Sequence, residues 1–310
     1  AILCNEKGGV LNDPVLLRLT EDEFWFSISD SDLLLWLQGV NVSKKYDVEI
    51  DEIDVCPVQI QGPLSEDLMA KLAGEELREV PYYGILETKV GGADCVISQT
   101  GFTGEKGYEI YVRDAHENAE KMWNAVLEAG EEFGLMVIAP AHHRRIAAGI
   151  LSWGQDLDHE TSPFQVNLSY QVPRNKAADY IGKEELEKQR AMMDDGKAPF
   201  KMKMVGLTLG GKEITDYAPD FWIVTNTDED EVGYVTSPWW SPELETNIAL
   251  AWVPWEASEV GTKYMVKLPD EYAESPGVAV NAEIVDVPFR ESVNPNKREV
   301  QAAKGLDFAD

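Results

Sequence analysis

The residue with the clearest chemical setting in this sequence is Glu109. It follows the glycine-rich residues 101–107 within the stretch SQTGFTGEKGYEIYV. Glycine adopts backbone conformations that other residues avoid, so such a turn lets the backbone come close to a flat ligand. The residues after it alternate as in a strand, which predicts that Glu109 points at the ligand from the strand start. The alternative is that Glu109 is an exposed residue of an ordinary strand.

A second carboxylate, Asp13, lies beside another glycine turn. It follows Gly8 and Gly9 and directly precedes Pro14, where a predicted strand starts. This position suits a carboxylate that acts on a ligand, and it equally suits an aspartate that only caps a turn. The spacing leaves both interpretations open.

Several aromatic residues lie in loop-like sequence, where packing in a core is not their only role. Aromatic ring faces can enclose a cation. We therefore consider Trp153, Phe164 and Tyr170 as candidates for binding a substrate, with core packing as the alternative for each. The dipeptide Trp239-Trp240 belongs to the same group.

One dense basic cluster, His142-His143-Arg144-Arg145, occurs in an otherwise acidic chain. Arginine side chains there could hold an anionic group of a ligand, or they could pair with surface acids. The formal net charge of −29 excludes nucleic-acid binding as an expected function, because no basic stripe is present to neutralise phosphates.

The composition predicts a globular, soluble, cytoplasmic protein. Hydrophobic residues make up 44% of the 310 residues, and no run approaches the roughly 20 apolar residues of a membrane helix. We expect no membrane partner and no signal peptide. The three cysteines and four histidines have neither disulfide nor zinc spacing, so we expect reduced thiols and no metal.

The elements that must position these residues fall into two patterns. Residues 57–138 read as strand, helix, three strands and helix, which indicates an α+β domain, and a further helix is predicted from Pro140 to about Leu151. From Met202 onward strands predominate and helical periodicity is almost absent, which predicts a small β-barrel. The polar tail, residues 291–310, is expected on the surface.

Six segments together resemble the tetrahydrofolate-dependent aminomethyltransferase family, the glycine-cleavage T-protein and its relatives. They occur in family order over nearly the whole chain, and they read NEKGGVLND, QGP, TGFTGEKGYEI, AGILSWGQDLD, YIGKEEL and GYVTSPWWSP. The resemblance implies an α+β multidomain fold. Residues 1–56 and 139–200 would form a first, folate-binding α+β domain, residues 57–138 a second α+β domain, and residues 201–290 the barrel domain. The chain begins without Met inside a strand-turn-strand pattern, and the family's N-terminal part is expected to precede it.

The resemblance also implies roles for individual residues. Asp13 matches the family's catalytic aspartate, and Glu109 matches the glutamate that hydrogen-bonds the pterin of tetrahydrofolate, with Phe102, Tyr108 and Arg145 as further cofactor-binding candidates. A carboxylate suits the second role because it can accept two N–H bonds from a pterin edge. The family's tyrosine in the glycine turn is Phe102 here, and its arginine before the helix is Ala141.

Within the family, the runs NDPVLLRL, FWFSISDSD, WEASEVG and VDVPF look most like the subfamily that demethylates dimethylsulfoniopropionate. The expected activity is transfer of a methyl group from this or a similar small donor to tetrahydrofolate, with Trp153 the first choice to face the sulfonium. Two alternatives remain: a glycine-cleavage aminomethyltransferase, and a non-catalytic folate-binding relative.

Overall fold

The computed structural model describes residues 1–28 and 31–290 of the chain. It shows an α+β arrangement of small sheets and helices followed by a closed β-barrel. Both the α+β class and the C-terminal barrel that the sequence predicts are confirmed. The predicted surface tail, residues 291–310, lies outside the described residues.

The N-terminal part contains four short strands and one helix. These are β1 (Leu3–Cys4), β2 (Val10–Asn12), β3 (Val15–Arg18), β4 (Phe24–Ser27) and α1 (Leu33–Lys44). Strands β1 and β2 pair with each other, and β3 and β4 form a separate antiparallel hairpin.

The sheet that carries Glu109 is antiparallel and has four strands. Its strands are β5 (Val55–Gln61), β6 (Ile85–Val90), β7 (Ala93–Ser98) and β8 (Gly107–Arg113), in the spatial order β5-β8-β7-β6. Two helices, α2 (Ser65–Ala73) and α3 (Ala115–Gly130), supply buried side chains to one face. The order strand, helix, three strands, helix is the one that the sequence pattern predicts.

The second face of this sheet is covered by the β3–β4 hairpin. Leu17 and Trp25 of the hairpin form a buried cluster with Val96 and Tyr111 of the sheet. Since side chains alternate between the two faces of a strand, Glu109 lies on the same face as Tyr111. We call this side of the sheet the Glu109 face.

The segment between the sheet and the barrel contains two helices, α4 (His142–Ala147) and α5 (Lys183–Asp194). Helix α4 is shorter than predicted, because Gly149 turns the chain with a φ of 67° and a Cβ at this glycine would lie 2.6 Å from Val287 Cγ1. The prediction that the helix continues to about Leu151 was wrong.

The barrel closes six antiparallel strands in the order β10-β11-β12-β9-β14-β13. They are β9 (Met202–Leu209), β10 (Trp222–Thr225), β11 (Glu231–Ser241), β12 (Thr246–Pro254), β13 (Lys263–Val266) and β14 (Val280–Val285). Alternating apolar side chains of these strands fill one core. Among the described residues, no helix is both long and apolar enough to cross a membrane.

Candidate functional site

Glu109 is a buried carboxylate held in one orientation. Its side chain is 7% exposed. The hydroxyl of Thr100 donates to Glu109 Oε2 at 2.5 Å, and the phenol of Tyr111 donates to the same oxygen at 3.1 Å. The alternative that Glu109 is an exposed strand residue is therefore wrong. Both bonds engage Oε2, so Oε1 remains an acceptor for a further donor.

The Tyr111 hydroxyl remains a hydrogen-bond donor over the physiological pH range. Burial raises the pKa of the Tyr111 phenol, and the neighbouring charge of Glu109 raises it further, while Ser27 of β4 acts in the opposite direction. Because the phenol stays protonated, it keeps donating to Glu109. Ser27 lies directly opposite Val15 in the hairpin, so the hairpin and the sheet meet at this phenol.

The glycine turn, residues 101–107, owes its shape to the side chain of Gln61. Gln61 Nε2 donates to the carbonyl of Thr100 at 3.1 Å, and the hydroxyl of Thr103 donates to Gln61 Oε1 at 2.8 Å. A Cβ on Gly101 would lie 2.3 Å from the Gln61 amide, and one on Gly107 would lie 2.5 Å from it. Glycine is required at both positions because the Gln61 side chain fills the inside of the turn.

The outer side of the glycine turn is tied to the end of the barrel segment by Arg290. Arg290 Nη2 donates to the carbonyl of Thr103 at 3.0 Å and pairs with Glu105 at 2.7 Å. Arg144 of α4 also reaches Glu105, at 3.1 Å, but its side chain is 43% exposed compared with 9% for Arg290. The turn is thus fixed from the inside by Gln61 and from the outside by Arg290.

Replacing Arg290 with glutamine is expected to lower the free energy of unfolding by about 1.5–3 kcal/mol, because hydrogen bonds to a shielded charge are lost. The matched control is Arg144→Gln, which removes a pair to the same Glu105 at a more exposed position and should cost about 0–1 kcal/mol. Urea denaturation of both variants measures the difference. Equal losses would show that Arg290 does not fix the turn.

The structure brings the strand on each side of Asp13 to this region. Asp13 is half-buried and lies between β2 and β3. Val15, two residues later, packs against the cluster on the Glu109 face that contains Tyr111. On the other side, the indole N–H of Trp153 donates to the carbonyl of Val10 in β2 at 3.1 Å. Asp13 therefore lies in the chain between Val10, which accepts a bond from Trp153, and Val15, which packs on the Glu109 face.

Two buried polar atoms beside these carboxylates have no hydrogen-bond partner among residues 1–28 and 31–290. They are Oδ1 of Asn12, next to Asp13, and Oγ of Ser98, which lies directly opposite Glu109 in the sheet. Buried polar groups are normally paired. Because Ser98 lies opposite Glu109, Oγ of Ser98 and Oε1 of Glu109 are on the same face of the sheet, and both are oxygen atoms suited to a ligand that carries N–H groups.

Tyr108 does not take part in this arrangement. It is adjacent to Glu109 in the strand, so its side chain projects to the opposite face, where it is 0% exposed among the residues that pack under α2 and α3. Its hydroxyl accepts from Gln99 Nε2 at 3.3 Å. This burial on the opposite face of the sheet contradicts the prediction that Tyr108 binds the cofactor.

Arg145 is likewise committed to the protein interior. Its side chain is 1% exposed and donates to Asp156 Oδ2 at 2.8 Å, to the hydroxyl of Ser237 at 2.8 Å and to the carbonyl of Ile150 at 3.2 Å. Asp156 in turn accepts from Thr236 and Ser237 at its other oxygen. Because this buried network occupies the guanidinium, the expectation that Arg145 holds a ligand is corrected: it joins α4 to the barrel.

The three aromatic candidates are not gathered in one place. Trp153 and Tyr170 are half-buried and pack against the same apolar cluster, which includes Ile146 and Leu157. Phe164 is 3% exposed in a different cluster, and the guanidinium of Arg190 lies 4.8 Å from its ring centre. Of these three residues, Trp153 is hydrogen-bonded to β2. Phe164 packs in the core, which was the alternative role given for each aromatic candidate. Phe102 is half-buried in the glycine turn, and its N–H donates to Gln59 Oε1 at 3.2 Å.

Four residues of this region were missed by the sequence analysis: Thr100, Tyr111, Gln61 and Arg290. The first two had a signal, because Tyr111 follows Glu109 by two residues and so shares its face, and Thr100 opens the glycine turn. Gln61 belongs to the QGP segment that carries the family resemblance, but nothing in that segment indicates its contact with the glycine turn. Arg290 had no signal, since its contact joins residues that are 187 positions apart in the chain.

Two protein-family models match most of the chain. The family model of the GCVT N-terminal domain matches residues 1–176, and that of the glycine cleavage T-protein C-terminal barrel domain matches residues 203–290. The second match coincides with the six-stranded barrel.

Individual relatives are similar over most of this chain. Dimethylsulfoniopropionate demethylase DmdA of Ruegeria pomeroyi is 34% identical over 266 residues, which cover 86% of this chain and 70% of the relative. An aminomethyltransferase of Clostridium botulinum is 33% identical over 274 residues, with the same shares. The crystal structure of glycine cleavage system aminomethyltransferase T from Bartonella henselae has the same fold, with a TM-score of 0.75 and 22% identity over 95% of this chain and 76% of that one.

Proposed function

Because this chain belongs to the glycine-cleavage T-protein family of folate-dependent one-carbon transferases, we propose that it moves a methyl group from dimethylsulfoniopropionate, or a similar small sulfonium donor, to tetrahydrofolate. The family uses tetrahydrofolate. The observation that carries the proposal is the buried Glu109 carboxylate, whose Oε2 is held by Thr100 and Tyr111 while Oε1 remains an acceptor.

The residues present fit this group. A pterin edge carries N–H donors, and Oε1 of Glu109 and Oγ of Ser98, on the same face of the sheet, are oxygen atoms without a donor among the described residues. Tetrahydrofolate would supply the nitrogen that accepts the one-carbon group. Glu109 would bind and orient the pterin, and Phe102 of the glycine turn would lie beside it.

Asp13 and Trp153 are proposed to serve the donor side of the reaction. A sulfonium methyl is already activated, so the protein mainly has to align it and exclude water. The ring face of Trp153, held by its bond to β2, would stabilise the sulfonium charge. The Asp13 carboxylate would accept the proton that the attacking nitrogen loses, or hold that nitrogen in line.

The similarity to the demethylase and two departures from the aminomethyltransferase pattern support this donor. The family's tyrosine in the glycine turn is Phe102 here, and its arginine before α4 is Ala141, so this chain departs from the aminomethyltransferases at two positions of the folate region. A change in how the ligand is held agrees with a different one-carbon donor.

Replacing Glu109 with glutamine is expected to weaken tetrahydrofolate binding roughly 10- to 100-fold, because a charge-assisted hydrogen bond becomes a neutral one. Fluorescence titration with tetrahydrofolate measures the effect. The control is Glu87→Gln in strand β6 of the same sheet, because the Glu87 side chain is exposed and pairs with Arg113. If both variants bind like the parent protein, Glu109 does not contact the pterin.

The activity itself is tested by incubating the protein with tetrahydrofolate and dimethylsulfoniopropionate. The expected products are 5-methyltetrahydrofolate and methylmercaptopropionate, detected by mass spectrometry. If tetrahydrofolate binds but neither product forms, the demethylase proposal is wrong, and the protein is then interpreted as a non-catalytic folate-binding protein.

An aminomethyltransferase is the second candidate, because the clostridial aminomethyltransferase is similar to this chain over the same share of its length. This candidate requires an aminomethyl group on a lipoyl carrier as the donor. Release of ammonia from that donor in the presence of tetrahydrofolate, with no turnover of dimethylsulfoniopropionate, would decide in its favour.

A further inference from the structure

A cavity of about 250 Å³ lies between α5 and the segment 172–175. None of its lining residues belongs to the Glu109 site or to the Arg145 network. The side chains that matter for its chemistry are Arg174, Tyr180, Glu187, Arg190, Ala191 and Asp194. Its size suits a small metabolite rather than a folate.

Arg190 is the central cation of this cavity, and its guanidinium is held in place. The guanidinium stacks on the ring of Phe164 at 4.8 Å. Its Nη2 donates to the carbonyl of Ser169 at 3.4 Å and to the carbonyl of Val172. In the part of the chain that the structure describes, no acceptor lies within hydrogen-bond distance of Nε or Nη1. Arg190 therefore presents two unused donor atoms in a fixed orientation.

Among the described residues, no carboxylate oxygen lies within 4 Å of the Arg190 guanidinium to form a salt bridge. Asp194 uses both of its oxygens on Arg174, at 2.7 and 3.0 Å. Glu187, the other acid of the cavity, lies 3.9 Å from Lys183. The partners of Arg190 are two backbone carbonyls and a ring face, which compensate a partly buried charge less well than a carboxylate does, and an anionic ligand would supply that compensation.

The charges around Arg190 are mixed. Burial lowers the pKa of Arg190 and the nearby charge of Arg174 lowers it further, while Asp194 and Tyr180 act in the opposite direction. Lys176 and Lys183 lie 5.1 and 5.8 Å from the ring of Tyr180 and add positive charge beside the cavity. The lining pairs Arg174 and Arg190 with Glu187 and Asp194, so it lacks the acidic excess of the chain as a whole.

We propose that this cavity binds a small metabolite through one oxyanion group, a phosphate or a carboxylate, which accepts a hydrogen bond from Nη1 of Arg190. Hydrogen bonds from a guanidinium to a charged oxyanion are stronger than those between neutral groups. The proposal does not depend on the activity at the Glu109 site, because the two sets of residues are separate.

Calorimetric titration with inorganic phosphate and with succinate, in chloride buffer, tests the proposal. Saturable binding of one of them at one site per chain is expected, and the tighter of the two identifies the source of the oxyanion. Ala191→Glu places a carboxylate in the cavity from an exposed position of α5 and should weaken binding at least tenfold. Ala191→Gln, of the same size but uncharged, should weaken it clearly less.

A second variant, Asn175→Asp, adds a carboxylate at an exposed position on the opposite side of the cavity. It tests anion binding in the case that Ala191→Glu does not fold. It should also weaken binding. The proposal is overturned if neither anion shows saturable binding, or if the charged and uncharged variants bind the anion as the parent protein does.

Discussion

Replacing Asp13 with asparagine is expected to reduce methyl transfer about 100- to 10,000-fold while tetrahydrofolate still binds. Asparagine has nearly the same shape as aspartate, so the turn between β2 and β3 should keep its form. It cannot accept a proton, however, and it carries no charge to hold the attacking nitrogen. The rate of 5-methyltetrahydrofolate formation and a parallel binding titration measure the two effects.

The control for this variant is Asp22→Asn, which makes the same chemical change at an exposed position between β3 and β4. It should leave the rate unchanged. Full turnover by the Asp13 variant would remove Asp13 from the mechanism. If the Asp13 variant loses both turnover and tetrahydrofolate binding, Asp13 instead has a role in holding the ligand.

Replacing Arg145 with methionine is expected to lower the free energy of unfolding by about 3–5 kcal/mol, because it leaves the Asp156 charge buried without its cation. Methionine has a similar length and fits an apolar environment, so the loss reports on the charge rather than on a cavity. Urea denaturation measures it. If Arg145 instead held the ligand, tetrahydrofolate affinity would fall and stability would not.

The double variant Arg145→Met with Asp156→Asn separates the charge from the packing. It removes both members of the pair, so it should be more stable than Arg145→Met alone. Arg78→Met is the surface control: Arg78 contacts Glu66, Asp67 and Glu75 but is exposed, and its loss should change the unfolding midpoint little. An equal effect at both arginines would contradict the structural role of Arg145.

Tyr108 and Glu109 show what the strand pattern predicts and what it does not. The alternation of the strand already separates the two side chains. It does not say which face receives helices and which receives a hairpin. That depends on the packing of α2, α3 and β3–β4 around the sheet, so both residues were candidates until these elements were placed.

The basic cluster shows the same limit for charges. Four cationic or titratable residues in a row suggest a solvent-facing or ligand-facing group, yet their environments differ. Arg144 is exposed and Arg145 is fully buried. The partners of Arg145 include Ser237, which is 92 residues away in the chain. No local pattern in the sequence indicates such a partner.

The sequence by itself determined the α+β class, the barrel, the glycine turn and the place of Glu109 in the strand that follows this turn. These follow from local rules: alternation, the backbone freedom of glycine, and residue types at fixed spacing. Only the tertiary structure decided which side chains support the site and which support the core, because burial and ion pairing depend on residues that are distant in the chain. Glu109 is held by its near neighbours Thr100 and Tyr111, whereas the turn in front of it is fixed by Gln61 and Arg290 from other elements.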